Sequence, residues 1–338
     1  MYRWIGRFTK GSRLQRVTRA AMALPQPVMF SLITAAGYAA FALAGSTRRR
    51  ILRNMAALLP DLSPSQRRRL CARYFVQECL TIDEQAVEYR RGLLGEGTGG
   101  ASARVVFDVE GREHLDAALS KGKGAIVLTP HVGNYFYFFW WVSQRHESLT
   151  VATMGSAEIR PLYLGFEALG LRGFDYDNDP PLTIYRRFRK LLNDNGVVFL
   201  MGDFARPGFP QSTLLGKPSG LPAGPVALAL ESGAPIVPLA GRRVSWRRHR
   251  MAFMPALDLA ARYRPDEKQA ALDETARVME TIIRGAPDQW LYWFNIDERW
   301  RACTEPAAAP VRGSRSSVHT RTPHTSSSLS TRRPAERV

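Results

Sequence analysis

Short apolar runs that alternate with helix-length segments constrain this chain most. Val105–Val109, Ala125–Leu128, Leu149–Thr153, Val197–Met201 and Ile236–Leu239 are each four or five residues long. They are too short for helices and rich in β-branched and aromatic side chains, so they read as buried strands. Between them lie segments that read as helices: His114–Ser120, Val132–Gln144, Glu158–Leu169, Leu182–Asn193 and Ala223–Gly233. Residues 48–92 also read as helical, with a turn at Leu58–Ser63 and Ser63-Pro64 opening a helix over Ser65–Tyr89. Gly95–Ala101 reads as a loop. Strands that take turns with helices build an α/β fold, here a central mixed sheet flanked by helices. Chemistry in such sheets collects at the carboxyl ends of the strands. Those ends carry Thr129-Pro130-His131 and Gly202-Asp203.

The 338 residues carry a formal charge of +17, and 45% of the side chains are hydrophobic. That apolar share buries a full core and excludes a chain disordered throughout. The charge sits at the two ends. Residues 1–53 hold ten basic side chains and no acidic one, and residues 305–338 hold six Arg against two Glu, which leaves only +3 for the 251 residues between. A nearly balanced body with no helix-turn-helix, finger or RNA-recognition pattern argues against nucleic acid as a partner. Cys71, Cys79 and Cys303 are odd in number and lack metal-ligand spacing. Neither a disulfide scaffold nor a metal module is expected.

The basic N-terminus brackets an apolar segment. Arg19 and Arg48 enclose 28 residues without a charge, and Val28–Gly45 is dense in Phe, Leu, Ile, Ala and Tyr. A spanning helix needs about 20 apolar residues, and Pro25 and Pro27 shorten this one. Arg48-Arg49-Arg50 after it is unlike a signal peptide. Those arginines suit anionic headgroups, at about 1 kcal/mol each near the surface. A membrane-associated helix is expected, either spanning or lying in one leaflet. From Ala307 onward the chain is mostly Ser, Thr, Pro and Arg, which buries too little apolar area to offset its ordering entropy. Three parts are expected: the apolar N-terminus over 1–47, the α/β domain over 48–303, and a disordered basic tail over 304–338.

Five ordered blocks carry a family resemblance. Gly124-Ala125-Ile126-Val127-Leu128-Thr129-Pro130-His131-Val132-Gly133-Asn134 resembles the motif block of bacterial lipid A biosynthesis acyltransferases. These are the lauroyl and myristoyl transferases of the lysophospholipid acyltransferase superfamily. Arg50-Ile51-Leu52-Arg53-Asn54-Met55 with Leu59-Pro60 resembles the family's early helix, and Phe199-Leu200-Met201-Gly202-Asp203 its second strand-and-aspartate block. Leu215-Gly216-Lys217-Pro218 and Leu221-Pro222-Ala223-Gly224-Pro225, running into Gly233–Pro238, resemble a third stretch. Pro287-Asp288-Gln289-Trp290-Leu291-Tyr292-Trp293 with Arg299-Trp300 resembles its terminal signature. Together the blocks cover about residues 28–302.

The resemblance implies transfer of a fatty acyl group from acyl carrier protein or acyl-coenzyme A to a lipid or glycolipid hydroxyl or amine. The donor is then a co-substrate and no cofactor is needed. The expected place is the cytoplasmic side of the inner membrane, with the membrane surface and a lipid acceptor as partners. A hydroxyl is a poor nucleophile at neutral pH, so a base must take its proton as it attacks the thioester carbonyl. His131 suits that role. Arg160, Arg172 and Arg206 are candidates for the acceptor's phosphate or sugar head. Gly133, in the turn Val132-Gly133-Asn134, is a candidate for presenting backbone N–H groups to the oxyanion. The basic run Arg186, Arg187, Arg189 and Lys190 reads either as a solvated helix face or as a dock for an acidic carrier protein.

The family pattern is His-x4-Asp/Glu, and this chain has Phe136 where the acid belongs. No acidic side chain follows from Val132 to His146. Three readings stand open. Asn134 or Asp203 supplies the orienting oxygen from elsewhere; or the transfer needs less base catalysis; or the protein binds lipid or carrier without turnover. The aromatic run Tyr135–Trp141 reads as plain core or as the lining of an acyl channel.

Overall fold

Seven strands form one sheet and two more form a hairpin. In chain order they are β1 (Val106–Glu110), β2 (Ala125–Thr129), β3 (Ser148–Ala152), β4 (Gly173–Asp175), β5 (Val197–Met201), β6 (Gln211–Leu214), β7 (Lys217–Gly220), β8 (Ile236–Ser245) and β9 (Arg248–Phe253). The sheet order is β1-β9-β8-β2-β5-β3-β4, while β6 and β7 pair on their own. Every neighbouring pair in the sheet is parallel except β8 with β9. The expected mixed α/β sheet is therefore present. This computed structural model describes residues 24–86, 94, 105–152, 160–206, 208–298 and 300. Residues 1–23, the expected loop over 95–101 and the tail from 304 lie outside the described residues.

The helices are α1 (Gln26–Leu43), α2 (Gly45–Leu58), α3 (Pro64–Ala86), α4 (Arg112–Leu119), α5 (Tyr135–Ser143), α6 (Arg160–Glu167), α7 (Pro181–Asn193), α8 (Gly224–Ser232), α9 (Leu259–Arg262) and α10 (Lys268–Gly285). The central strand β2 is buried at every position, so its side chains feed two cores in alternation. Ile126 and Leu128, with Val198 and Leu200 of β5, join Leu192 of α7, Leu228 of α8 and Met279 of α10. Ala125 and Val127, with Val197 and Phe199, join Leu115 of α4, Phe139 of α5 and Phe166 of α6. Each large apolar side chain buried this way contributes about 1.5–3 kcal/mol. The sheet is thus held rigid between two helical layers, and its strand ends are fixed platforms.

Local signals explain several boundaries. Ser63 and Gln66 exchange hydrogen bonds across the start of α3, with Ser63 N–H donating to Gln66 Oε1 at 2.7 Å and Gln66 N–H to Ser63 Oγ at 3.3 Å. This is a capping box, and it starts the helix where Ser63-Pro64 predicted. The expected helix from Val132 begins three residues later. Gly133 has φ +66 and Asn134 caps the helix, its side chain accepting from Tyr137 N–H. Strand β9 was hidden by its charges. Arg248 and Arg250 alternate with buried His249, Met251 and Phe253, which is the period of an edge-side strand.

At the N-terminal end, α1 packs on α3. A Cβ on Gly37 would come within 2.6 Å of Val76 Cα, so only glycine permits this approach. Arg48 donates to the carbonyls of Phe41 and Ala42 at 2.6 and 2.9 Å, satisfying the end of α1. Among the described residues no single helix is long and apolar enough to cross a membrane. Only α1 and α2 together reach that length and composition, as a pair bent by 87°.

Candidate active site

Strands β2 and β5 run in parallel register with Thr129 opposite Met201. Gly202 N–H donates to Thr129 O at 2.9 Å, tying the two carboxyl ends together. His131 and Asp203 each lie two residues beyond that register pair, so the sheet delivers them to one point. His131 Nδ1 is 2.6 Å from Asp203 Oδ1, and His131 N–H donates to Asp203 Oδ2 at 3.0 Å. The same Oδ2 accepts the indole N–H of Trp290 at 2.8 Å. Asp203 is fully buried, while the His131 side chain keeps 12% of its surface. With Nδ1 turned to the carboxylate, Nε2 is on the far edge of the ring. Tyr135 and Tyr292 stand edge-on to the imidazole, each with ring centroids 4.9 Å away.

A terminal segment locks this turn from the other side. The 3-10 turns Pro287–Gln289 and Leu291–Phe294 run past the His131 turn, and Val132 bridges Trp290 in antiparallel fashion. Leu291 N–H donates to His131 O at 2.9 Å, and Gly133 N–H donates to Gln289 O at 3.0 Å. The helices hold the segment in turn. Tyr74 of α3 donates to Leu291 O at 3.0 Å, and Asn54 of α2 to Trp293 O at 2.8 Å.

Beneath the turn sits a buried ion pair. Arg243 of β8 donates twice to Glu84 of α3, from Nε at 2.8 Å and from Nη2 at 2.6 Å. Their side chains keep only 3% and 7% of their surface. Arg243 also reaches Thr81 Oγ1 at 3.0 Å and the Gln77 side chain. Asn134 Nδ2 donates to Glu84 Oε2 at 3.0 Å, and His249 Nε2 lies 3.2 Å from Glu84 Oε1. Burial alone pushes the Glu84 carboxyl up, but the Arg243 charge, His249 and their hydrogen bonds outweigh it and hold it well below the ordinary carboxylate range. The Gln289 side chain then pairs with the backbone of Arg243, at 2.7 Å through Oε1 and 2.8 Å through Nε2.

These positions sort the residues expected at the site. Of the two oxygens offered for His131, the structure places that of Asp203 on the imidazole. The Asn134 side chain is spent instead on Glu84, on Gln85 Nε2 at 3.4 Å and on Tyr137 N–H at 3.3 Å. Gly133 does make the turn, but its N–H goes to Gln289, and the Val132 N–H goes to Pro130 O at 2.7 Å. Neither is free for an oxyanion. Arg172 precedes β4, so it stands at the amino end of the edge strand, three strands from β2 and at the opposite end from His131. Arg206 follows Asp203 on the carboxyl side of the sheet. It pairs with Asp177 at 2.6 Å and lies over the rings of Tyr176 and Phe204. Arg160 is the first residue of α6, and its side chain lies outside what the structure describes, as does Arg299.

Phe136 fills the place of the absent acid with its ring 4.8 Å from that of Phe166. The rest of the aromatic run is core. Phe139 packs on Phe199, Trp140 on Phe107 and Trp141 on Phe253, and every residue from Phe136 to Val142 is buried. That packing fits the plain-core reading of the run. Nothing in the sequence marks Glu84 or Arg243 as neighbours of the site, and Gln289 and Trp290 are marked only by their place in the terminal block. Among the described residues no group of three or more His, Cys, Asp or Glu could hold a metal ion.

Known proteins resemble this chain in part or over most of its length. The phosphatidylinositol mannoside acyltransferase of Mycobacterium tuberculosis (strain ATCC 25618 / H37Rv) is 36% identical over 143 residues, covering 38% of this chain and 42% of that protein. The phosphatidylinositol mannoside acyltransferase of Mycolicibacterium smegmatis is 33% identical over 146 residues, covering 39% and 45%. Each match thus spans less than half of the relative. The crystal structure of the 1-acyl-sn-glycerophosphate (LPA) acyltransferase PlsC from Thermotoga maritima covers 77% of this chain and 97% of that one, at 14% identity and a TM-score of 0.34. That likeness is too loose to carry weight. The family model for bacterial lipid A biosynthesis acyltransferase, by contrast, matches residues 15–302, which include every strand and both partners of the His131–Asp203 contact. The chain belongs to the bacterial lipid A biosynthesis acyltransferase family.

Proposed function

We propose that the protein transfers a fatty acyl group from a thioester to a hydroxyl of a membrane lipid or glycolipid, with His131 as general base and Asp203 as its partner. The observation that carries this is the 2.6 Å contact between His131 Nδ1 and Asp203 Oδ1. A carboxylate on Nδ1 places the ring proton there and leaves the Nε2 lone pair to accept a proton. The acceptor hydroxyl gives its proton to Nε2 as its oxygen bonds the thioester carbonyl carbon. Asp203 stabilises the imidazolium that forms. When the tetrahedral intermediate collapses, the carbon–sulfur bond breaks and the leaving thiolate takes the proton back from His131. A buried carboxylate aligned on a partly exposed imidazole supports turnover over lipid binding alone.

The relatives' name describes acylation of a phosphatidylinositol mannoside, so a sugar hydroxyl of a glycolipid is the acceptor class to test first. Purified full-length protein is assayed with acyl-coenzyme A and acyl carrier protein donors against lipid and glycolipid acceptors. Transfer is expected, and His131→Ala is expected to abolish it; transfer that survives His131→Ala removes His131 from the chemistry. Because Asp203 already occupies Nδ1, Phe136→Glu is expected to bring no gain in turnover. Its carboxylate would be buried against Phe166, and a loss of several kcal/mol in stability should appear in denaturant titration. A more active Phe136→Glu protein would mean that Asp203 does not serve the base.

The donor is proposed to be acyl carrier protein, docked on α7. Arg186, Arg187, Arg189 and Lys190 are all exposed there, on a helix whose other face buries Ile184, Phe188 and Leu191. Acidic carriers suit such a face. Arg186→Glu with Arg189→Glu should raise the apparent KM for acyl carrier protein about tenfold and leave acyl-coenzyme A nearly unchanged. Equal effects on both donors would rule this surface out.

The membrane attachment proposed is a helix lying in the surface rather than crossing it, on the cytoplasmic side of the inner membrane. One face of α1 is packed on α3, so lipid cannot surround the helix. Val28, Leu32, Tyr38 and Leu43 remain exposed on it. Arg49 and Arg53 are exposed on α2, and headgroups favour them.

A further inference from the structure

We infer that the tip of the β8–β9 hairpin, through Val244 and Trp246, is a second membrane contact beside α1. This rests on the proposal that α1 lies in the bilayer surface, and extends it to an element far away in sequence. The Trp246 ring sits 5.5 Å from the ring of Phe30 in α1, and the Arg247 guanidinium lies 4.4 Å from its centroid. The hairpin tip is therefore fixed beside the helix. Val244 is 39% exposed on the hairpin, and Val106, whose N–H donates to Arg247 O at 2.8 Å, is 44% exposed next to it.

Ten large apolar side chains are prominently exposed among the described residues. Seven of them belong to α1 with its entry or to this tip: Leu24, Val28, Leu32, Tyr38, Leu43, Val106 and Val244. A gathering of that kind marks an interaction surface. The bilayer is the occupant that fits. Residues 20–47 carry no charge, and residues 1–53 carry ten basic side chains without an acid. An apolar helix set in a sequence stretch that carries basic side chains and no acid complements an anionic membrane. Trp is among the side chains that membrane interfaces favour. Two contacts also do what one helix cannot. A single in-plane helix leaves the protein free to roll about its axis, and the hairpin stops that roll, giving the His131 opening a fixed bearing on the lipid.

The test is co-sedimentation of the full chain with vesicles of phosphatidylglycerol and phosphatidylethanolamine. A hairpin variant, Val244→Asp with Trp246→Ser, and an α1 variant, Val28→Asp with Leu32→Asp, are compared with the parent. Each is expected to lower the partition coefficient about tenfold, as loss of one or two buried apolar side chains would. If the α1 variant detaches and the hairpin variant binds like the parent, the hairpin inference is wrong and the α1 reading stands. If neither variant is weakened, both are wrong. A milder change covers a hairpin variant that misfolds. Trp246→Phe keeps the ring beside Phe30, and quenching of tryptophan fluorescence by vesicles with brominated acyl chains should be smaller in it than in the parent. Equal quenching overturns the proposal. So does a hairpin variant that alters self-association in sedimentation velocity while binding vesicles normally. None of these readouts depends on acyl transfer, so failure of the proposed reaction would not be mistaken for failure here.

Discussion

Asp203→Asn is expected to lower kcat by on the order of 10⁴-fold while leaving KM for donor and acceptor little changed, the size of effect seen when an orienting Asp becomes Asn in a serine-protease triad. The hydrogen bonds around Asp203 say why so small a change should cost so much. Its Oδ2 accepts two N–H groups, from the His131 backbone at 3.0 Å and the Trp290 indole at 2.8 Å. Both donors are fixed by packing. An asparagine in that place must give its one carbonyl oxygen to them, which turns its NH₂ toward His131 Nδ1. That NH₂ can only donate, so Nδ1 becomes the acceptor and the ring proton moves to Nε2. The base then faces the acceptor hydroxyl with its lone pair already used. The substitution is isosteric and removes a buried charge, so the protein should stay folded. Pre-steady-state turnover across pH, with thermal melting as control, measures it. A kcat within tenfold of the parent would falsify the role given to Asp203.

The meeting of His131 and Asp203 shows where sequence is informative and where it stops. The runs Ala125–Leu128 and Val197–Met201 announce two buried strands, and the residues just past them are visible as site candidates. That the two side chains touch depends on the register of β2 against β5, Thr129 opposite Met201, and apolar runs buried on both faces carry no mark of register. The same limit hid the outer half of the sheet. β8 continues from Leu239 through Arg242 and Arg243 into β9, where charge obscures the alternation of His249, Met251 and Phe253. Trp290 lies 87 residues from the carboxylate it binds, and Glu84 lies 159 from Arg243. Such pairings are decided by packing of whole elements, not by local pattern. The polar groups of Asn134 and Gly133 are committed elsewhere for a related reason. Both residues were placed correctly in the turn, but their polar groups are claimed by α3 and by the terminal segment.

The largest loss of stability should come from Glu84→Gln, about 3–5 kcal/mol, or a fall in Tm of about 10 °C. The cause is what it leaves behind. Arg243 stays buried with its charge, facing an amide that can neutralise nothing. Arg243→Met leaves the reciprocal fault, a buried carboxylate without its guanidinium. The double variant Glu84→Gln with Arg243→Met removes both charges and is expected to cost much less than the two singles together, because the pair's Coulomb attraction largely offsets its own desolvation. Acid should narrow the difference between parent and Glu84→Gln. Burial raises the Glu84 carboxyl but Arg243 and His249 pull it lower still, so its folded value is depressed. A depressed carboxyl contributes stability that is present above its ordinary value, 4.5, and lost as pH falls toward the folded value. The parent should therefore weaken below about pH 4.5 relative to a Glu84→Gln protein that has no such titration. Activity should fall with stability but by a separate route. Asn134, which caps α5 and follows the His131 turn, donates to Glu84, and Gln289, which holds Gly133, pairs with the backbone of Arg243. A loosened cluster lets that turn drift from Asp203, so kcat of the folded variant should drop about tenfold with KM unchanged. Were Glu84→Gln to melt with the parent at pH 7, the ion pair would be dispensable, and packing by the two apolar cores would have to hold the turn by itself.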